Sequence, residues 1–145
     1  MSDWRCLEGT PRDIKAHLSK FLNKGYELHV GCDSHQYSDY TRLVSVICLR
    51  KGPNGVITFR TVLNEKPSSS IYLKLQREVL KALEIAQFAG EIGYENITVH
   101  LDINPDDKYI SNKFYKEFVN MVKGCGYKCI TKPDAFAASI ADMFT

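Results

Sequence analysis

The sequence predicts a mixed α/β domain: one five-stranded sheet, three strands antiparallel and two parallel, with helices on both faces. Three β-rich runs follow one another at 27–33, 41–50 and 56–63. Two shorter strands, 97–102 and 127–131, are each reached through a helical stretch, so right-handed crossovers should set them parallel to the first. At 145 residues, 44% apolar and 25% charged, the chain has the composition of one folded domain with a proper core. Residues 1–25 read as an N-terminal helical extension to a single domain covering 1–145.

Local signals place each element. Thr10-Pro11-Arg12-Asp13 offers an N-cap, a proline at the first helical position and an acid three residues on, so a helix should run to 24 and stop at Gly25. The strands 41–50 and 56–63 flank a Gly52-Pro53-Asn54-Gly55 turn and form a hairpin. Pro67-Ser68-Ser69-Ser70 caps a helix over 71–89, whose apolar arc includes Ile71, Leu75, Val79, Ala82 and Ala86. A helix capped by Ser111 runs to 123 and ends at Gly124-Cys125-Gly126, and Pro133-Asp134 opens a last helix through 144.

Several chemistries are excluded. There is no apolar run of bilayer length and no signal-peptide core, so a cytoplasmic protein without membrane contact is expected. Five irregularly spaced cysteines do not form a disulfide framework, and Cys125-x-x-x-Cys129 lacks the further ligands of a zinc site. No glycine-rich phosphate loop or G-x-S-x-G elbow occurs. Cys32 falls on the opposite strand face from Asp33 and is expected in the core, as is His100.

Four carboxylates carry the functional reading. Asp33 follows Leu28-His29-Val30-Gly31-Cys32, and Asp102 follows Ile97-Thr98-Val99-His100-Leu101. In the expected topology these strands are parallel neighbours, so both acids reach the edge where open α/β sheets bind ligands. Each also suits a simple turn, an Asx-turn at Asp33 and turn initiation before Ile103-Asn104-Pro105 at Asp102. Glu78 lies within roughly 60° of Ile71, Leu75, Ala82, Ile85 and Ala89 on the helix circumference, so it faces inward and must be paired, protonated or metal-bound. Lys74 on the same edge supplies the plain ion-pair alternative.

Asp134 serves equally as a helix N-cap, and Asp142 two turns on is a fallback ligand. Gathered acids call for a hard divalent cation, Mg²⁺ or Mn²⁺, and point to metal-assisted chemistry on phosphate esters. With those four acids neutralised, 19 basic residues face the 13 others, a surplus of six. Lys108, Lys113, Lys116, Lys123, Lys128 and Lys132 concentrate it, as a polyanionic partner such as nucleic acid would require. His35 and Lys132 are candidate phosphate contacts, with Asn104 and Asn112 beside them.

Element order and residues together resemble the ribonuclease H-like fold, and more closely the bacterial YkuK-type family within it. The matching stretches are Gly31-Cys32-Asp33-Ser34, His100-Leu101-Asp102-Ile103-Asn104-Pro105, Ser111-Asn112-Lys113, Gly124-Cys125-Gly126-Tyr127 and Lys132-Pro133-Asp134-Ala135-Phe136-Ala137-Ala138. The resemblance implies a nuclease in which two metal ions are held by Asp33, Glu78, Asp102 and Asp134, with Asp33 bridging them. Asp33 is followed by Ser34-His35 and not by the Asp-Gly-Ser common in ribonucleases H, and Glu78 matches by helix position alone. Structured or hybrid nucleic acid is the expected substrate. The alternatives are a non-catalytic nucleic-acid- or protein-binding module on the same fold, or a phosphoesterase acting on a small nucleotide.

Overall fold

The structure is a computed structural model that describes residues 3–53, 55–105 and 113–145. Seven strands form one mixed sheet: β1 (Trp4–Cys6), β2 (Pro11–Arg12), β3 (Glu27–Gln36), β4 (Thr41–Arg50), β5 (Val56–Glu65), β6 (Ile97–His100) and β7 (Lys128–Ile130). Their spatial order is β2-β1-β5-β4-β3-β6-β7. The helices are α1 (Ile14–Phe21), α2 (Ile71–Ile92), α3 (Tyr115–Gly124) and α4 (Phe136–Asp142).

The five expected strands form the body of the sheet with the expected directions. β3, β4 and β5 are antiparallel neighbours, and β6 and β7 join parallel to β3 and β6. The two additional strands correct the five-strand expectation. Trp4 is 1% exposed, and burying its indole lays the N-terminal segment against β5, where Arg5 pairs with Arg60. Pro11 and Arg12 then pair back onto Arg5 and Trp4. The residues expected to open the first helix at Thr10 are therefore consumed as an edge strand. Asp13 takes over as N-cap, its carboxylate accepting from the Ala16 amide at 3.2 Å. That helix stops at Phe21, three residues earlier than expected.

The other elements keep to their signals. Ser70 caps α2 by accepting from the Leu73 amide, and α2 runs one turn beyond 89. Ile71, expected on its buried arc, is exposed in the first turn. Gly52 and Gly55 adopt positive φ in the β4–β5 turn. Asn54 in that turn, the Ser111 cap, Asn112 and Lys108 lie outside the described residues. α4 spans Phe136–Asp142, beginning two residues after Asp134.

The sheet separates two apolar layers. Leu28, Val30 and Cys32 of β3 pack with Leu43, Ile47 and Leu49 of β4 against α2 and α3. Val44, Val46 and Cys48 form a smaller cluster with Ala137 and Ala141 of α4 on the opposite face. α4 reaches the sheet so closely because Gly31 has no side chain. A Cβ there would collide with the main chain of Ala137 and stand 2.5 Å from the Ala138 nitrogen. Small residues on both partners thus set the depth of the helix. Among the described residues no helix is long and apolar enough to cross a membrane.

Gly31→Ala should therefore destabilise the fold by about 3 kcal/mol, since neither backbone can yield without moving α4. Urea denaturation followed by circular dichroism measures this; an unchanged midpoint would mean that α4 is not packed at that depth.

Candidate functional site

Two features of the sheet create the site. β3 continues to Gln36, three residues past Asp33, because the β3–β4 hairpin stays in register to Gln36↔Thr41. The expectation that Asp33 closes its strand is thereby corrected. β6, in contrast, pairs with β3 only as far as Gly31↔His100. Beyond that pair the flank of β3 is open, and Asp33 stands beside the gap. Alternation puts Asp33 on the α4 face with Gly31, while Cys32 and Ser34 point toward α2. Ser68, in the loop before α2, donates its amide to the Gln36 side chain at 2.8 Å and ties that loop to the end of β3.

Glu78 arrives from the α2 side, as its helical position predicts, and is only 4% exposed. Ser34 donates its hydroxyl to Glu78 Oε2 at 2.5 Å, and Lys74 Nζ lies 2.8 Å from the same oxygen. The ion pair that competes with metal ligation is thus present. Lys74 also stands 4.0 Å from Asp33 Oδ1, a single ammonium between two buried acids. Burial raises the Glu78 pKa, against the lowering effect of Lys74 and Ser34.

Asp102 lies two residues beyond β6. Leu101 donates its amide to Ile130 at 2.8 Å, and Lys132 donates its amide to Ile103 at 3.1 Å. These two bonds fasten the loop carrying Asp102 to the exit of β7. They also bring Lys132 Nζ to 2.9 Å from Asp102 Oδ1, and that hydrogen bond raises the lysine pKa. Glu78 and Asp102 line the same narrow cleft between α2 and the end of β6.

Asp142, at the end of α4, is the fourth acid. It is exposed on its helix, yet its carboxyl comes close enough to Asp33 to help raise the Asp33 pKa. Asp134 is exposed too, but on the turn before α4, where its main chain bonds to Thr131 and Phe136. It is not the cap of α4 either, because Ala135 occupies that position. α4 runs alongside β3 in the same direction, with Phe136 packed on His29 and Asp142 level with Asp33. Asp142 rather than Asp134 is therefore the α4 acid brought to Asp33.

The remaining candidates are scattered around this centre. His35 is exposed two residues past Asp33 on the same face. Asn104 is half-buried just beyond the buried Ile103. Lys113, Lys116, Lys123 and Lys128 are exposed on or beside α3 and β7. Cys32 is buried with its thiol pushed up to about 12, which agrees with a core role. His100 is buried too, its Nε2 2.9 Å from Nδ1 of His29, and desolvation pushes its pKa down to about 3. Sequence reasoning missed Ser34. Its signal was available, since the residue after Asp33 must point at the helix carrying Glu78.

Four carboxylates thus surround two ammonium groups, a surplus of two negative charges with every acid ionised and of one while Asp33 keeps its proton. Asp33 registers it: burial first, then Asp142, then the charges of Glu78 and Asp102, push its pKa up to about 9 despite Lys74. Among the described residues, no three acids, histidines or cysteines converge closely enough to hold an ion as they stand. The donor set nevertheless fits a hard cation in kind, being all carboxyl oxygen, with a surplus negative charge that grows to two once the Asp33 proton is displaced. The lysines that separate the acids are long and flexible, and their side chains are 27% and 49% exposed.

The acids stand at the carboxyl end of the central parallel strands, the edge where open α/β sheets bind ligands, and the sequence comparison gives the family. The profile of the Ribonuclease H-like family matches residues 10–145, and the chain belongs to that family. It is 28% identical to "Uncharacterized protein YkuK" of Bacillus subtilis (strain 168), over 91% of this chain and 86% of that protein. It is also similar to the crystal structure of RNase H1 from the halophilic archaeon Halobacterium salinarum NRC-1. That likeness has a TM-score of 0.44 and 13% identity, over 82% of this chain and 99% of the other.

The raised pKa of Asp33 fixes a pH dependence. Between the carboxyl's ordinary value of 3.8 and about 9, the folded protein holds a proton that the unfolded chain has released. Stability from this group therefore falls as pH rises through that window. In chelator, Asp33→Asn should melt close to wild type at pH 4 and increasingly above it toward pH 8. A melting difference that does not vary with pH would mean that Asp33 is ionised throughout.

Proposed function

We propose that this protein is a divalent-metal-dependent hydrolase of phosphodiester bonds in nucleic acid. The observation that carries this reading is the gathering of Asp33, Glu78, Asp102 and Asp142 from four separate elements against Lys74 and Lys132 alone among the described residues. A structural ion-pair network would be balanced; this one keeps a negative surplus even with a proton on Asp33, and a cation that displaced that proton would meet a surplus of two. Membership of the Ribonuclease H-like family supports the same reading.

In this account Asp33 is the central ligand, with Glu78, Asp102 and Asp142 completing the coordination of one or two Mg²⁺ or Mn²⁺ ions. Asp142 takes the part that the sequence reading gave to Asp134. When bound, such ions activate water for attack at phosphorus and stabilise the leaving oxygen. The protein's own groups do the rest. Ser34 holds Glu78 from below, so Glu78 keeps its orientation once Lys74 leaves it. Lys74 and Lys132, released from the acids, turn to the non-bridging phosphate oxygens and position the backbone. His35 lies on the same strand face, within reach of a phosphate or a leaving group. Asn104 extends the substrate contact past Asp102, and the exposed lysines of α3 and β7 attract the polyanion from a distance.

A second reading has a specific observation in its favour. Lys74 and Lys132 already neutralise Glu78 and Asp102 at 2.8 and 2.9 Å, as suits a binding module that has no use for metal. Cleavage assays separate the two. Labelled RNA, DNA, hybrid and branched substrates are incubated with Mg²⁺ or Mn²⁺ beside Asp33→Asn and Asp102→Asn. The hydrolase reading expects cleavage by wild type and a loss of at least 100-fold in either variant, on the scale of removing one preorganised group from a catalytic centre. No cleavage of any substrate, or cleavage that survives both changes, would reject it.

A further inference from the structure

We propose that Tyr37 and Tyr40, at the tip of the β3–β4 hairpin, form a stacking platform for an unpaired nucleobase, so that the site takes single-stranded nucleic acid. This rests on the nucleic-acid reading above and adds the substrate form.

Strand alternation supplies the first support. Asp33 and His35 share one face of β3, the face that α4 covers, and Tyr37, the first residue beyond the strand, packs on His35. The tyrosine lies four residues beyond Asp33, roughly 13 Å further on. The His35 ring packs edge-on against Tyr37 at 4.7 Å between centroids, and Tyr37 stacks on Tyr40 at 5.0 Å with 20° between the ring planes. An unbroken aromatic row therefore leads away from the acids.

The row is rigid and open. Tyr37 donates its amide to the Tyr40 carbonyl at 2.8 Å, closing the two-residue turn Ser38-Asp39. Its hydroxyl donates to the main-chain oxygen of Thr145 at 2.8 Å, which fixes the ring from the far side. Both residues nonetheless stay well exposed, Tyr37 at 40% and Tyr40 at 37%. Arg42 is the cross-strand partner of His35 and so lies on the same face. Its Nε donates to the Phe144 carbonyl at 2.8 Å, which holds the guanidinium beside the row. Aromatic faces next to a fixed cation are what base stacking with backbone neutralisation requires. A base stacked within a duplex offers no free face to such a platform, which selects for unpaired strands.

The test is done in chelator, so that cleavage plays no part. Single-stranded RNA and DNA oligonucleotides carrying 2-aminopurine are titrated with wild type, Tyr37→Ala, Tyr40→Ala, Tyr37→Phe and Tyr40→Phe. Stacking should quench the 2-aminopurine of the wild-type complex. Each alanine variant should bind about tenfold more weakly, in line with the loss of one base–aromatic stack. Each phenylalanine variant should stay within about twofold, and a relaxed circular duplex, which has no open end, should not compete. An unquenched wild-type complex, no binding of single strands, alanine variants as tight as wild type, or equal binding of duplex would each overturn the platform. The wild-type quench reads the platform without any variant, should an alanine variant not fold. Failure here leaves metal-dependent cleavage standing, and loss of cleavage leaves this binding result standing.

Discussion

A carboxylate taken out of water beside other carboxylates is costly, and the arrangement around Asp33 can be understood as the means of tolerating one. Asp33 is 4% exposed, lies close to Asp142, and feels both Glu78 and Asp102. Such a group takes up a proton, and Asp33 keeps one far above the usual carboxyl range. The surroundings add partial compensation for its neighbours. The Lys74 ammonium spans Asp33 and Glu78, Ser34 donates to Glu78, and Lys132 answers Asp102. The compensation stops short of neutrality, and on the proposed reading a divalent cation would supply the remainder in place of the Asp33 proton.

The fold delivers the acids by unrelated structural devices, which is why they can converge at all. Early termination of β6 opens the flank of β3. The bare backbone of Gly31 lets α4 sink onto the sheet and carries Asp142 to its position. Backbone bonds between the exits of β6 and β7 hold Asp102. Glu78 is set by the apolar arc of α2, where Leu75, Val79, Ala82 and Ile85 are all buried. Rigid elements thus fix the carboxylates, while the charges between them sit on flexible lysine stems. Ligands held firmly and counterions held loosely are what a site built to exchange a cation requires.

Much of this was legible in the sequence. The hairpin of β4 and β5, the helix from Ile71 and the parallel return strands follow from β-branched runs, the Ser70 cap and helical spacing. The inward face of Glu78 follows from 100° per residue. The edge strands β1 and β2 did not, because one buried tryptophan outweighs a good local helix-start signal. Tertiary packing decided between two uses of the same Pro11. The exchange of Asp134 for Asp142 has a similar cause. Local capping chemistry favours an acid after Pro133, but it says nothing about the direction of α4 across the sheet. That direction depends on the small residues Gly31, Ala137 and Ala138 meeting, a contact between segments more than a hundred positions apart. Asp142 was visible as a fallback because it lies two turns along the same helix.

The central claim of the proposed function is that the acids around Asp33 bind a divalent cation. Titration of Mn²⁺ into the protein, with free ion read by electron paramagnetic resonance, tests it without reference to substrate or turnover. The account predicts a saturable loss of the free-ion signal, abolished in Asp33→Asn and kept in Asp134→Asn. A signal that rises in proportion to added Mn²⁺ from the first addition, or a site that survives Asp33→Asn intact, would contradict it.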